Sequence, residues 1–396
     1  MSRKSSSFFF NVICWAVIIG CGFFIASKLG INPTNLIRKE NYVAAPSGDL
    51  FDGYKSLTET EKSYYDAIVK ACENGKLSVE LKDVSLDCFE EEIERTMYVF
   101  KRDHPEYFWI NGGYSYIRPS RVFNDVNLTL STYDFWDYII DSKKYTDELD
   151  AEIEKVIGLA NRYETNYEKA IFVHDYLVKT VIYDHDALAD AQKTSHNPKS
   201  EYIYTAYGAL VNKKAVCSGY AKAFQIVMHR LGINCDYVTG NAGGESHGWN
   251  TVLLDNEDYY IDVTWDDANL TDEKGNLTYP DGVEYEYFCV TTQQLEKTHT
   301  IDYSIINHPE CTATKYDYFL YHGYYLEKYD RWNVAKIVAK QKDKQIVSVK
   351  FSSVSELEKA KEDLVDNNGI RSVSAFEKIT GYVVNKEHCV LKLYKN

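Results

Sequence analysis

A long apolar segment lies near the amino terminus of the chain. Residues 8–27 are apolar, interrupted by Asn11, and they follow the basic residues Arg3 and Lys4. At about 1.5 Å per helical residue, such a segment covers roughly the 30 Å hydrocarbon core of a bilayer. The pattern predicts an uncleaved membrane helix within residues 1–30 and a tether over residues 31–50. The basic leader favours an amino terminus inside the cell and the rest of the chain outside the cytoplasm.

A cleaved leader is the alternative to this membrane helix. Residues 18–21 read Ile-Ile-Gly-Cys, the form of a bacterial lipoprotein cleavage box, in which Cys21 would carry the lipid. The residues after Cys21 stay apolar, although a mature lipoprotein usually begins there with a polar tether. The pattern therefore favours the helix, and the membrane is its expected partner.

Helical and strand-like spacings follow one another through residues 51–145. Thr58 and Glu61 form a capping-box pattern ahead of one predicted helix, and a second helix is predicted from Phe89 to Lys101. Strand-like alternation then occurs at residues 107–110, 114–117 and 126–132. These patterns predict an amino-terminal α+β region.

The pattern changes near residue 146. Two helices are predicted around residues 149–160 and 165–177, and residues 208–267 have the pattern of turn, helix, strand, strand, strand. Beyond residue 315 the spacing predicts a strand, a helix and two strands, at residues 346–351, 355–364, 382–385 and 389–394. We expect a central domain over residues 146–315 and a small α/β unit over residues 316–396, and an α+β class overall.

Composition and charge narrow the classes of function. The 396 residues include 44 basic and 59 acidic side chains, which give a net charge of -15. Because this charge repels phosphate backbones, we expect no nucleic-acid partner. The nine cysteines include no C-x-x-C pair and no histidine–cysteine cluster at zinc spacing. Neither a disulfide framework nor a structural zinc site can be read from the cysteines, and we expect no metal site and no cofactor.

Cys217 is the first candidate for a catalytic residue. A polar turn precedes it and apolar residues at helical spacing follow it, so Cys217 is predicted at a helix N-terminus. Unsatisfied N–H groups and the positive end of the helix dipole favour a thiolate there, and the thiolate is the nucleophilic form of cysteine. A lone cysteine in an apolar helix is more often a small core residue, so its partners decide the interpretation.

His247 and Asp262 are the partners that a cysteine nucleophile needs. They lie on two predicted strands joined by a polar turn at residues 255–258. With a two-residue turn they project from one face of the hairpin, two or four residues apart, so we expect a bulge or a longer turn to bring them closer. A carboxylate orients an imidazole, which activates a thiol, and the three residues form a usable catalytic triad.

Other polar residues receive structural interpretations. His174 and Asp175 fall within a helical apolar pattern and are interpreted as a packing and hydrogen-bonding pair. A solvated loop carboxylate is the alternative interpretation of Asp262; it is plausible for Asp266 or Asp267 and less so for Asp262, which lies between Ile261 and Val263.

Three segments carry a family resemblance. Cys217-Ser-Gly-Tyr-Ala, His247-Gly-Trp-Asn and Asp262-Val-Thr-Trp resemble the signature segments of the transglutaminase-like superfamily, over residues 150–270. The resemblance implies a papain-like core, in which a helix bearing the cysteine packs on an antiparallel sheet bearing the histidine and the aspartate. It implies Cys217 as nucleophile, His247 as general base and acid, and Asp262 as the residue that orients His247. For the oxyanion-stabilising residue upstream of the cysteine, the candidates are Tyr204, Tyr207 and Asn212.

The resemblance also implies a function. We expect a bacterial, membrane-anchored cysteine enzyme that acts on amide bonds of a protein or peptide substrate through a thioester intermediate. Hydrolysis, as in a protease or deamidase, is favoured over cross-linking, because the sequence shows no additional acceptor-binding module. The alternative is a non-catalytic surface scaffold or peptide-binding module with the same fold.

Overall fold

The computed structural model of the protein describes residues 51–85, 87–118, 124–133, 138–195, 197–267, 282–372 and 374–395. The predicted membrane helix, the tether and Cys21 lie outside the described residues. Among the helices that the structure describes, none is long and apolar enough to cross a bilayer.

The amino-terminal region combines three helices with a three-stranded antiparallel sheet of order β1-β3-β2. Thr58 and Glu61 cap the second helix reciprocally, so the predicted capping box is confirmed. The predicted strand at residues 107–110 is wrong except for Ile110, because a turn closes between Tyr107 and Ile110, and Phe108 and Trp109 enter the core. The elements are α1 Asp52–Lys55, α2 Glu59–Glu73, β1 Ser78–Leu81, α3 Phe89–Asp103, β2 Ile110–Ile117 and β3 Val126–Thr132.

Helices dominate the first half of the central region. The capping box of Thr165 and Glu168 starts the second of them, as predicted. A short 3-10 helix, Pro198–Tyr204, leads into the segment that precedes Cys217. The elements are α4 Tyr138–Ala160, α5 Asn166–Thr180, β4 Ile182–Tyr183, α6 His185–Ala191, α7 Ala206–Leu210, β5 Lys214–Ala215 and α8 Cys217–Arg230.

A five-stranded antiparallel sheet follows α8 and has the order β10-β6-β7-β8-β9. Helix α8 packs on this sheet, and the Asn250 side chain donates a hydrogen bond to the Ala221 carbonyl at 3.1 Å. The predicted order of helix and three strands is confirmed. The elements are β6 Cys235–Ala242, β7 Glu245–Leu254, β8 Glu257–Ile261, β9 Phe288–Val290, α9 Thr292–Leu295 and β10 His299–Ile301.

The carboxy-terminal region has a four-stranded sheet of order β11-β12-β14-β13 and a hydrophobic cluster of its own. The predicted strand, helix and two strands are present. The spacing analysis did not predict the helix Arg331–Lys340, although Asp330 caps it. The elements are α10 Tyr318–His322, β11 Tyr325–Leu326, α11 Arg331–Lys340, β12 Ile346–Phe351, α12 Val354–Lys361, β13 Ile379–Asn385 and β14 Val390–Lys395.

The amino-terminal and central regions share one buried hydrophobic cluster. It includes Phe100 of α3, Ile153 of α4 and Phe224 of α8. This shared core fixes α3 against the central sheet, where Tyr98 hydrogen-bonds to Thr239 of β6 at 3.2 Å. The fold is therefore a mixed α and β structure, and the domain boundaries given above stay predictions.

Candidate active site

Cys217 is the first residue of α8, in the place that the helical spacing predicts. Val216 is the N-cap residue, has an extended backbone and makes no side-chain cap. The first turn of α8 packs closely against residues 203–205. A Cβ added to Gly219 would lie only 2.5 Å from the Ile203 carbonyl oxygen. The thiol is half-buried and in the free form. A helix N-terminus without a side-chain cap leaves backbone N–H groups that stabilise negative charge.

His247 lies on β7 between the thiol and a carboxylate. Its Nε2 is 2.7 Å from Oδ2 of Asp262. The Cys217 side chain lies close enough to the ring to raise the pKa of His247. The ring is buried, with 9% of the residue exposed. The structure therefore brings the three predicted site residues together in the order thiol, imidazole, carboxylate.

The hairpin register explains how His247 reaches Asp262. Strands β7 and β8 pair without a bulge from Leu254 opposite Glu257 to Asn250 opposite Ile261. Continued in this register, Asp262 would face Trp249, two residues from His247. Strand β8 ends at Ile261 instead, and the chain turns, so that Thr264 and Trp265 donate their N–H groups to the Asp262 carboxylate. The β7–β8 pairing therefore contains neither the predicted bulge nor a longer turn, whereas the pairing of β8 with β9 shifts register between Tyr260 and Ile261, directly before Asp262.

The Asp262 carboxylate is fully buried and accepts hydrogen bonds on both oxygens. Oδ1 accepts from the Thr264 N–H at 2.9 Å and the Trp265 N–H at 3.1 Å. Oδ2 accepts from His247 at 2.7 Å and from His299 at 3.0 Å. Burial raises the pKa of Asp262, but the charge and hydrogen bonds of the histidines lower it well below its usual range. The carboxylate thus stays ionised inside the protein.

The same arrangement sets the charge of His247. Burial lowers the pKa of His247, but the Asp262 carboxylate and the Cys217 side chain raise it more, to about 10. At neutral pH the imidazole is therefore protonated. A protonated imidazole next to a thiol at a helix N-terminus supports a thiolate–imidazolium pair.

His299 is a site residue that the sequence analysis missed. It begins β10, at the far edge of the sheet from β9, and its ring lies between the rings of Trp249 and Trp265, with centroid distances of 5.0 Å and 4.6 Å. Its Nε2 faces Asp262, and its Nδ1 is 2.8 Å from Oγ1 of Thr298. His299 lies far along the chain from the signature segments, and no local motif marks it. In the folded protein, His299 is marked only by its position as the first residue of β10.

The two histidines and Asp262 are also the group in the described part of the chain that could hold a metal ion. Their ligand atoms lie within 4.8 Å of one another. However, the imidazole nitrogens already donate to the carboxylate, so an ion would have to replace both hydrogen bonds. The nitrogen and oxygen atoms of His247, His299 and Asp262 therefore fit a hydrogen-bonded group at least as well as a metal site.

The three candidates for an oxyanion-stabilising residue have different positions. Tyr207 donates its hydroxyl to Glu148 and stacks on Phe108, and Asn212 is exposed. Burial and then the nearby Cys217 side chain raise the pKa of Tyr204. Tyr204 therefore lies within electrostatic range of the thiol and is the candidate that we retain.

A second buried histidine–carboxylate pair supports the turn after Asp262. Asp266 is fully buried, accepts from His174 at 3.2 Å and from the Tyr287 N–H at 3.0 Å. The interpretation of Asp266 as a solvated loop carboxylate is therefore wrong. Asp267 is half-buried and accepts from the Tyr220 hydroxyl. The predicted pairing of His174 with Asp175 is confirmed at 3.1 Å.

Comparisons with known proteins agree with the location of this site. Residues 156–263, which include Cys217 and His247 and end just after Asp262, match the family model of the Transglutaminase-like superfamily. These residues form a transglutaminase-like domain. A search of curated proteins finds no match to the chain.

Two solved structures match part of this chain. One is a TGase, with 19% identity and a TM-score of 0.28, over 44% of this chain and 49% of that protein. The other is a candidate cysteine protease from Cytophaga hutchinsonii, with 13% identity and a TM-score of 0.24, over 43% of this chain and 64% of that protein. This chain thus spans about half of the first protein and under two thirds of the second.

Proposed function

We propose that the protein is a cysteine-dependent hydrolase of peptide or protein amide bonds. The observation that carries this proposal is the series of Cys217, His247 and Asp262, in which His247 hydrogen-bonds to Asp262 and lies within electrostatic range of Cys217, with the thiol at an uncapped helix N-terminus. This series contains a nucleophile, a proton carrier and a group that orients the carrier.

The proposed reaction has two steps. The Cys217 thiolate attacks the amide carbonyl, and the C–N bond breaks as the His247 imidazolium gives its proton to the leaving nitrogen. A thioester on Cys217 and a neutral imidazole result. His247 then takes a proton from water, whose oxygen attacks the thioester, and the released sulfur returns as thiolate.

Asp262 and His299 act on this reaction through His247. The Asp262 carboxylate fixes which nitrogen of His247 faces the thiol and supports the imidazolium. His299 holds the same carboxylate oxygen from the opposite side, so we propose it as a positioning residue.

Two finer statements belong to this proposal. Hydrolysis as the fate of the thioester is favoured over transfer to a lysine, since cationic side chains next to Cys217 (Lys101, Arg102 and Lys222) would repel an incoming ammonium group. The position outside the cytoplasm rests on the membrane helix predicted for residues 1–30.

A substrate survey tests the proposal. The full chain is incubated with a library of glutamine-containing peptides, and mass spectrometry detects new peptide ends, loss of an amide as ammonia, or incorporation of an added amine. We expect hydrolytic products that fall about 1,000-fold or more in the Cys217→Ala variant. The control is Cys88→Ala, which removes an exposed cysteine and leaves the rate unchanged. If the parent protein bound peptides but formed no product, the proposal of an enzyme would be rejected. The alternative of a non-catalytic peptide-binding module would then be favoured.

A further inference from the structure

A cleft opens beside Cys217, between the end of α3 and the start of α8. Its volume is about 360 Å³, which is in the range of sites that hold a side chain or a small ligand. Ser218, which directly follows Cys217, is part of its wall, so the cleft begins one residue from the proposed nucleophile. The remaining lining residues are Lys101, Arg102, Tyr133, Glu201, Tyr204, Lys222 and Tyr237.

Three cationic side chains converge on this cleft from two helices. Lys101 and Arg102 come from the last turn of α3, and Lys222 comes from α8, five residues after Cys217. Five residues correspond to about 7.5 Å along a helix axis. An extended chain advances about 3.5 Å per residue, so a group bound between these cations would lie about one residue and its side chain away from an acyl group on Cys217.

The hydrogen bonds of these cations go to neutral oxygens. Lys101 donates to the Asn111 carbonyl at 2.6 Å and Lys222 to the Tyr204 carbonyl at 3.1 Å. Arg102 donates to the Tyr98 carbonyl and to the Thr239 hydroxyl. Over the part of the chain that the structure describes, none of the three forms an ion pair with a carboxylate. Glu201 is the acidic residue on the lining, and its charge acts on Lys101 from a distance.

This arrangement is unfavourable while the cleft holds no anion. Burial and then the neighbouring cation Arg102 lower the pKa of Lys101 to about 8. Burial, followed by the charges of Lys101 and Arg102, lowers the pKa of Lys222 well below its usual range. Buried like charges are usually paired or replaced by apolar residues. A cluster of cations next to a nucleophile is favourable when an anion binds between them, so the cluster indicates an anion-binding site.

We propose that this cleft binds a carboxylate of the substrate, on the residue adjacent to the amide bond that Cys217 attacks. The proposal names the substrate class of the function proposed above, an acidic peptide, and rests on that function. The planar guanidinium of Arg102 and the two ammonium groups offer donors to both oxygens of a carboxylate. The carboxylate can belong to an aspartate or glutamate side chain or to a peptide's carboxyl terminus.

Alkylation of Cys217 tests the cleft without any turnover. In both iodoacetate and iodoacetamide, the thiolate sulfur attacks the CH2 carbon and iodide leaves. The two reagents differ in that iodoacetate carries a carboxylate where iodoacetamide carries an amide. Their rates at Cys217 are measured in the full chain by mass spectrometry of the labelled peptide. We expect a preference for iodoacetate that falls several-fold in Lys101→Met and in Lys222→Met, changes that keep an unbranched side chain and remove its ammonium group. Lys70→Met removes an exposed cation from α2 and is the matched control, with an unchanged preference.

Matched peptides then separate the cleft from the hydrolase. The probes are acetyl-Gln-Glu-amide, acetyl-Gln-Gln-amide and acetyl-Gln-Gln with a free carboxyl terminus. We expect a higher kcat/KM for one of the two anionic peptides, lost in the lysine variants, and the favoured peptide identifies the source of the carboxylate.

The possible failures differ from one another. Turnover of none of the peptides, together with the lysine-dependent iodoacetate preference, would support the cleft and reject the hydrolase. An iodoacetate preference that is unchanged in both lysine variants, each shown to be folded by its melting temperature, would overturn the cleft proposal even if the peptides are hydrolysed.

Discussion

At the scale of single residues, the charge on His247 sets the pH range of the site. Since the pKa of His247 is raised to about 10, the imidazolium persists through neutral pH and is lost as the pH rises through that value. The same sign applies to stability. The contribution of the raised His247 pKa to stability is complete below about pH 6.5, the usual pKa of histidine, and disappears as the pH rises through about 10.

Replacing the carboxylate should move this limit. In Asp262→Asn, the charge that raises the pKa of His247 is removed while a hydrogen-bonding group remains. We expect the alkaline limb of kcat/KM to shift from near pH 10 towards the usual histidine value of about 6.5, and kcat to fall. A pH profile of hydrolysis or of Cys217 alkylation measures the shift. An alkaline limb at the same pH in both proteins would contradict the assigned role of Asp262.

His299 should affect catalysis through position alone. Without the hydrogen bond from His299, the Oδ2 atom of Asp262 has His247 as its remaining hydrogen-bond partner. The carboxylate can then rotate away from the His247 imidazole. We expect His299→Phe to lower kcat by about 10-fold to 100-fold, with KM unchanged, as for other residues that orient a reacting group. His299→Gln retains an N–H donor and should recover part of the rate.

His308→Gln is the control for this variant, since His308 is also buried, with 9% of the residue exposed against 3% for His299, and lies outside the series of Cys217, His247 and Asp262. A KM change with constant kcat in His299→Phe, or no recovery in His299→Gln, would indicate a structural role only.

The predictability of the site also differs from residue to residue. Cys217, His247 and Asp262 each lie in a local pattern that indicates an element and a chemistry. His299 and the burial of Asp266 depend on how distant strands pack, and that information is absent from any short segment. The cationic cleft likewise joins α3 to α8, which are more than a hundred residues apart in sequence.

At the scale of elements, the start of α8 depends on glycine. A Cβ at position 219 would lie 2.5 Å from the Ile203 carbonyl oxygen and 2.7 Å from the Ala215 Cβ. Backbone atoms cannot yield easily, so Gly219→Ala should destabilise the fold by about 1 to 3 kcal/mol and displace Cys217. Urea unfolding and the rate of Cys217 alkylation measure the two effects.

Gly158→Ala provides the contrast. Gly158 lies inside α4 with no atom within 4 Å of the added Cβ, so the substitution should stabilise the fold by up to about 1 kcal/mol. Equal stability changes in the two variants would show that the packing around Gly219 is not as described.

The elements that the sequence predicts best carry local signals. The capping boxes at Thr58 and Thr165 and the two-residue turn at Asp255 and Asn256, both with positive φ, mark their elements directly. The strand predicted at residues 107–110 failed because the consecutive aromatic residues Tyr107, Phe108 and Trp109 also suit a buried turn. Element types were thus predictable where capping or turn chemistry supported the spacing.

At the scale of the whole molecule, the amino-terminal region is part of the core around the catalytic elements. Phe100 and Phe224 belong to one cluster, and the Gln225 side chain donates to the Arg102 carbonyl at 3.0 Å. We expect α3 and α8 to open together in hydrogen exchange, with similar free energies of opening. The cluster of the carboxy-terminal sheet is separate, and its amides can exchange independently. Exchange of α3 at much lower free energy than α8 would contradict a shared core.

The central claim is that His247 holds Cys217 as a reactive thiolate. The most direct measurement is the rate of iodoacetamide labelling at pH 6, resolved for each cysteine by mass spectrometry. Accessibility alone favours Cys88, which is exposed, over Cys217, which is half-buried. We expect Cys217 to react at least about 10-fold faster than Cys88 and His247→Ala to remove this advantage. Faster labelling of Cys88 in the parent protein, or an advantage of Cys217 that survives His247→Ala, would contradict the claim.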